Sequence, residues 1–93
     1  MICVRCIITG RVQGVFYRSS TREKAAALNL YGHVRNLSNG RVEVVASGND
    51  ASLKEFESWL WRGPMHAKVT NVSCELVDEQ ENQSLSAEVF DVL

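Results

Sequence analysis

His33-Val34-Arg35-Asn36-Leu37 and Arg41-Val42-Glu43-Val44-Val45-Ala46-Ser47 flank the short segment Ser38-Asn39-Gly40. Asn-Gly between two such runs is a strong hairpin signal, because both residues tolerate the positive φ that tight hairpin turns demand. Two short antiparallel strands are therefore predicted around it. Upstream, residues 2–9 alternate, with Ile2, Val4, Cys6 and Ile8 on one side and Cys3, Arg5, Ile7 and Thr9 on the other, as a strand over a core would. Gly10-Arg11-Val12-Gln13-Gly14 interrupts the alternation, and Ser20-Thr21-Arg22-Glu23 has the spacing of a capping box opening a helix. Thr21, Ala25 and Leu28 share one face of that helix, and Gly32 is expected to end it.

Downstream, Gly48-Asn49-Asp50 offers a turn and an N-cap. Leu53, Phe56 and Leu60 then make an apolar stripe that stops at Gly63-Pro64, which predicts a second helix. From Ala67 the alternation runs through Val69 and changes phase to Val72, Cys74 and Leu76, predicting a strand with a bulge near Thr70-Asn71. Residues 78–84 read as a polar loop. Residues 85–92 read as a last strand of open phase, since Ala87 and Val89 compete with Glu88, Phe90 and Val92. The order is β-α-β-β-α-β with an added strand. It points to a ferredoxin-like α+β sandwich of split βαβ type: an antiparallel four- to five-stranded sheet with two helices on one face.

Ninety-three residues suit one domain spanning 1–93, able to bury roughly 60–65% of the surface its unfolded chain exposes. Ten basic and eleven acidic residues leave a net charge of -1, so no broad field draws nucleic acid or an anionic membrane, and any anion site must be local. No apolar run approaches a membrane span, and the opening residues, broken by Arg5, are too short for a signal peptide. A cytoplasmic monomer is expected. An odd number of cysteines, Cys3, Cys6 and Cys74, without a secretion signal argues for reduced thiols. Cys3-x-x-Cys6 on a strand would point to opposite faces, which suits neither a metal nor a redox pair.

The loop Gly10-Arg11-Val12-Gln13-Gly14-Val15-Phe16-Tyr17-Arg18 leads from a strand toward a helix N-terminus, where unpaired N–H groups and the helix dipole favour an anion. Gly14 allows the backbone to fold around a ligand, and Arg18 adds a planar fork of donors suited to phosphate oxygens. A nucleotide-binding G-x-x-x-x-G-K-[ST] loop is absent. A cysteine-phosphatase loop, C-x5-R, would need a cysteine where Val12 stands. With neither a nucleophilic cysteine nor metal-ligand spacing, water is the expected attacker. Asn36, whose amide both donates and accepts, is a candidate to orient it. A leaving carboxylate, with a conjugate-acid pKa of roughly 4, needs no general acid, which makes acyl phosphates a fitting substrate class.

At these residues the chain resembles the acylphosphatase family. Gly10-Arg11-Val12-Gln13-Gly14-Val15-Phe16-Tyr17-Arg18 is similar to that family's first signature. Gly32-His33-Val34-Arg35-Asn36-Leu37-Ser38-Asn39-Gly40-Arg41-Val42, followed by Gly48, is similar to its second, G-x-V-x-N-x3-G-x-V-x5-G. Trp59-Leu60, Gly63-Pro64, Ala67, Val69 and Val72 extend the likeness over nearly the whole chain. The resemblance implies hydrolysis of the carboxyl-phosphate bond of a small-molecule acyl phosphate without a covalent intermediate, metal or organic cofactor. It implies phosphate binding by the loop Gln13, Gly14, Val15, Phe16, Tyr17 and Arg18, with Arg18 gripping the substrate and Asn36 orienting the water. Tyr17, where the family usually has Phe or Met, and His33, where it usually has an aromatic residue, depart from the pattern.

Taken singly, each residue has a plainer reading. An arginine at a helix start is most often solvated, and an asparagine before a hairpin is most often a turn residue; the paired signatures favour the catalytic roles. His33 and His66 lack companion ligands and are expected to be structural or exposed. Trp59 and Trp61, two apart on a helix, cannot both face the core. Asn36-Leu37-Ser38, Asn71-Val72-Ser73 and Asn82-Gln83-Ser84 match the short N-x-[ST] pattern and are expected to be unmodified. An RNA-binding module of the same topology would need aromatic residues on its central strands, and residues 3–9 and 41–47 have none. A non-catalytic anion-binding domain remains the rival, discriminated by Asn36.

Overall fold

The computed structural model describes residues 1–82 and 90–93. In chain order it contains β1 (Ile2–Arg11), α1 (Tyr17–Ala27), β2 (Tyr31–Asn36), β3 (Val42–Gly48), α2 (Asp50–Arg62), β4 (Lys68–Leu76), a 3-10 turn (Glu79–Glu81) and β5 (Phe90–Val92). The strands form one sheet in the order β4-β1-β3-β2-β5, the ferredoxin-like α+β arrangement expected. All neighbours are antiparallel except β5, which joins β2 in parallel. The sheet is therefore mixed rather than purely antiparallel. Of the predicted last strand, the portion at residues 85–89, with the competing phases of Ala87, Glu88 and Val89, lies outside the described residues, as do Gln83 and Ser84 of the polar loop. Phe90 points into the core and packs edge-on against Phe56 at 6.1 Å.

The period-2 pattern marks the residues of β1 and β3 that face the helices. Cys6, Ile8, Val34, Val42, Val44, Ala46 and Val72 face the helices and form the core with Leu53, Phe56 and Leu60 of α2. The phase change in β4 is a bulge: Thr9 pairs with Asn71 but Gly10 pairs with Val69, leaving Thr70 as the extra residue. The Asn49 side chain caps α2 by accepting from the Ser52 N–H at 2.8 Å, with Asp50 in the first turn and Arg62 in the last matching the helix dipole. Trp59 packs on the core and Trp61 is exposed.

The boundaries of α1 differ from expectation at both ends. The helix starts at Tyr17, after a left-handed Phe16, and not at the Ser20-Thr21-Arg22-Glu23 box. Thr21 is fully buried, and its hydroxyl donates to the Tyr17 carbonyl at 2.7 Å rather than capping. Tertiary anchoring of Val12, Val15 and Tyr17 in the core fixes the start. At the other end, Asn29 takes the left-handed conformation (φ 58°), its N–H donating to the Ala26 carbonyl and that of Leu30 to Ala25, a Schellman ending. Gly32 lies inside β2 instead, at φ 151°, where a Cβ would stand 1.9 Å from the Val45 carbonyl oxygen.

The expectation of reduced thiols is also overturned in part. Cys6 and Cys74 are direct partners across β1 and β4 and form a disulfide; Cys3 remains a thiol, buried on the opposite face. That opposite face is covered by the segment after β4. The Val77 N–H donates to the Cys3 carbonyl, the Tyr31 hydroxyl meets the Glu79 carboxylate, and the Asn82 amide donates to the Ser47 hydroxyl at 2.9 Å. His33 lies on this face, 2% exposed, and its Nδ1 has no hydrogen-bond partner among the described residues.

The disulfide closes a sequence separation of 68 residues; the chain-entropy relation gives it about 4 kcal/mol, and about 4–8 °C per kcal/mol in a domain of this size makes the expected fall in Tm on Cys74→Ser well over 10 °C. Thermal unfolding with and without reductant checks this, and equal Tm values would refute it. Burial lowers the His33 pKa, outweighing Glu43, Asn82 and Asp91, which raise it, while Arg35 lowers it further. The unfolded chain then binds the extra proton first, so stability is full above about pH 6.5 and declines as pH falls toward the lowered folded value. Urea unfolding across pH 5–8 should show that decline, and His33→Phe should flatten it.

Candidate functional site

β1 ends at Arg11, just past the bulge, and the chain must turn from the end of this interior strand into α1 within residues 12–16. Val12 and Val15 plunge into the core and hold the two ends of the turn. The Gln13 amide donates to the Leu37 and Arg41 carbonyls, both at 2.9 Å, and so ties the loop to the β2–β3 hairpin. Between these anchors the backbone is left-handed at Gly14 (φ 74°) and Phe16 (φ 62°) and ordinary at Val15 and the helical Tyr17. Two left-handed residues this close together bend the backbone tightly around Gly14 and Phe16.

No side chain caps the N-terminus of α1, and no acidic residue stands in its first turn. Arg18 stands there instead, half-buried, its Nη1 donating to the Leu93 carbonyl at 2.9 Å. Tyr17 turns the other way. Its hydroxyl donates to the Leu60 carbonyl at 2.6 Å, its ring packs 5.9 Å from Trp59, and burial pushes its pKa up, so it remains a neutral phenol. Asn36 is the last residue of β2, paired with Val42 and exposed.

These elements enclose a cavity of about 290 Å³ lined by Gly14, Phe16, Arg18, Ser19, Asn36 and Val92, with Val12 and Tyr17 at its floor. The volume sits at the low end for ligand pockets, roughly 300–1,000 Å³, which suits a small molecule. Arg18 and Asn36 therefore meet in one pocket, as do Gly14, Phe16 and Tyr17. Gln13 and Val15 do not line it: the side chain of one is engaged with the hairpin and that of the other with the core. Ser19 and Val92 join the site without having been singled out in the sequence. Ser19 is adjacent to a motif, but Val92 arrives only through the pairing of β5 with β2, for which no local signal exists.

Neither histidine belongs to the pocket. Among the described residues no group of three or more His, Cys, Asp or Glu is arranged to hold a metal ion, and no helix is long and apolar enough to cross a membrane.

Comparison with known proteins matches residues 4–90 to the acylphosphatase family. An acylphosphatase of Nitrosococcus oceani is 51% identical over 81 residues, covering 87% of this chain and 91% of that protein. Among solved structures, an acylphosphatase from Coxiella burnetii superimposes with a TM-score of 0.88 at 41% identity, covering 99% of this chain and 92% of that one. An acylphosphatase from Bacillus subtilis does so with a TM-score of 0.90 at 32% identity, covering 100% and 99%.

The Tyr17 hydroxyl is a buried donor with a single carbonyl partner, so Tyr17→Phe should cost about 1–2 kcal/mol with little change at the cavity. Denaturant unfolding reads the loss; an unchanged midpoint would show that the bond contributes nothing net.

Proposed function

The chain belongs to the acylphosphatase family, and from that premise we propose how its own residues hydrolyse an acyl phosphate to a carboxylate and inorganic phosphate. The observation that carries the reading is the meeting of Arg18, Asn36 and the left-handed loop in one small cavity. The phosphate occupies the loop, accepting hydrogen bonds from the backbone N–H groups of residues 13–18 and from the Arg18 guanidinium. The uncapped start of α1 adds the positive end of its dipole.

Asn36 orients the attacking water through its amide, which accepts from the water and donates to a phosphoryl oxygen. Among the described residues the lining includes no carboxylate and no histidine, and the Tyr17 hydroxyl is committed to Leu60. The water's proton therefore passes to the phosphoryl group itself: the acyl phosphate dianion and water yield a carboxylate anion and dihydrogen phosphate, so charge and atoms balance. Transition states of this class are loose and need little from a base. The leaving carboxylate departs as a stable anion without a general acid. The protein supplies position and charge stabilisation, and no covalent intermediate or metal enters the scheme.

Arg18→Ala should reduce kcat/KM for benzoyl phosphate by at least about 10²-fold and weaken inhibition by inorganic phosphate. Asn36→Ala should cost about 10²–10³-fold in kcat with phosphate inhibition largely retained. Assays with EDTA present check both the residue roles and the metal-free scheme. Activity lost to EDTA and restored by a divalent ion would overturn the scheme, and full turnover in Asn36→Ala would remove that residue from it.

A further inference from the structure

We infer that Phe16 and Val92 form the acyl-group subsite of this pocket and give it a preference for aromatic or bulky aliphatic acyl phosphates over small ones. The inference rests on the reading of the phosphate end given above. Of the side chains lining the cavity, Arg18, Ser19 and Asn36 are polar, and Val12 and Tyr17 are buried in the core. Phe16 and Val92 are the apolar side chains left at the mouth, 79% and 41% exposed, one on the β1–α1 loop and the other on β5.

Packing does not explain Phe16. A phenyl ring presented to water gains nothing from burial, and a bulky residue at φ 62° is held in a region its side chain disfavours. The loop nonetheless fixes the ring in the same cavity as Gly14 and Arg18. With the phosphate at Arg18 and the water at Asn36, in-line geometry directs the scissile oxygen and the acyl group away from Asn36, and the way out passes the apolar rim. Among the described residues Arg18 is the only charged side chain lining the cavity, so the rim they form offers apolar contact rather than a partner for a second charge. An apolar substituent can bury its surface against the ring and the valine, and an aromatic one can also stack or meet the ring edge-on.

Such a contact strengthens binding of the whole substrate, so it is read in KM more than in kcat. The test measures kcat/KM for benzoyl phosphate and acetyl phosphate in the unaltered protein, Phe16→Ala and Val92→Ala. Because the two substrates differ in intrinsic reactivity, the readout is the change in their ratio between variant and unaltered protein. The benzoyl-to-acetyl ratio should fall about fivefold in Phe16→Ala and about twofold in Val92→Ala, from the apolar contact each removes, mainly through a raised KM for benzoyl phosphate. Equal losses on both substrates would make these residues shapers of the loop and overturn the subsite, as would an unchanged ratio. Val92→Ala, outside the strained loop, decides the matter if Phe16→Ala does not fold. Failure of the unaltered protein to hydrolyse either substrate would instead defeat the reading of the phosphate end, and the subsite with it.

Discussion

The first turn of α1 is where the molecule departs from what local stability would choose. Its amides have no capping side chain, its first turn has no carboxylate, and Arg18 places positive charge against the positive end of the helix dipole. Absence of a cap costs about 1 kcal/mol, and a misplaced charge costs roughly 0.3–1 kcal/mol. The rest of the structure offsets this. Val12 and Val15 anchor the turn in the core, Gln13 fastens it to the hairpin, and Tyr17 pins the start of the helix to α2 through Leu60 and Trp59. What an isolated helix would lack becomes, in this setting, a concentration of unpaired donors facing a cavity.

The fold was legible wherever the signal was local. The Asn-Gly hairpin, the Leu53-Phe56-Leu60 stripe, the Asn49 cap and the bulge at Thr70 each depend on a few neighbouring residues, and each stands where the pattern put it. The start of α1 was not legible, because Ser20-Thr21-Arg22-Glu23 satisfies the spacing of a capping box while the core anchors of Val12, Val15 and Tyr17 act from outside that window. The same holds for the helix end. Gly32 looks like a terminator, yet Asn29 takes the left-handed position and the glycine is spent on close approach to Val45. The Cys6–Cys74 pair depends on the register of two strands far apart in sequence, which counting cysteines cannot reveal.

The meeting of Gly14, Arg18 and Asn36 in one cavity was legible, and the rest of its lining less so. Gly14 and Arg18 carry residue types that suggest an anion without any fold in hand; Asn36 needed the spaced signatures, since alone it reads as a turn residue. The Gln13 side chain, a long amide beside the hairpin, is held by the Leu37 and Arg41 carbonyls, which also accept the Gly40 and Leu37 N–H groups that close the turn. Val92 had no signal, because its place depends on which edge β5 joins.

That edge matters more than the length of β5 suggests. Parallel addition to β2 sets His33 against Asp91 and Val34 against Val92, so the strand runs beside the residues that lead to Asn36. It carries Val92 to the cavity and brings the Leu93 carbonyl within 2.9 Å of Arg18. A three-residue edge strand has few ladder bonds of its own, and the buried Phe90 ring, set against Phe56, is its principal apolar anchor. Core packing at Phe90 thus fixes the rim of the pocket and the orientation of the arginine. Loosening that ring would disturb the site before it disturbed the hairpin or α2, because local opening begins in the elements with the fewest buried contacts.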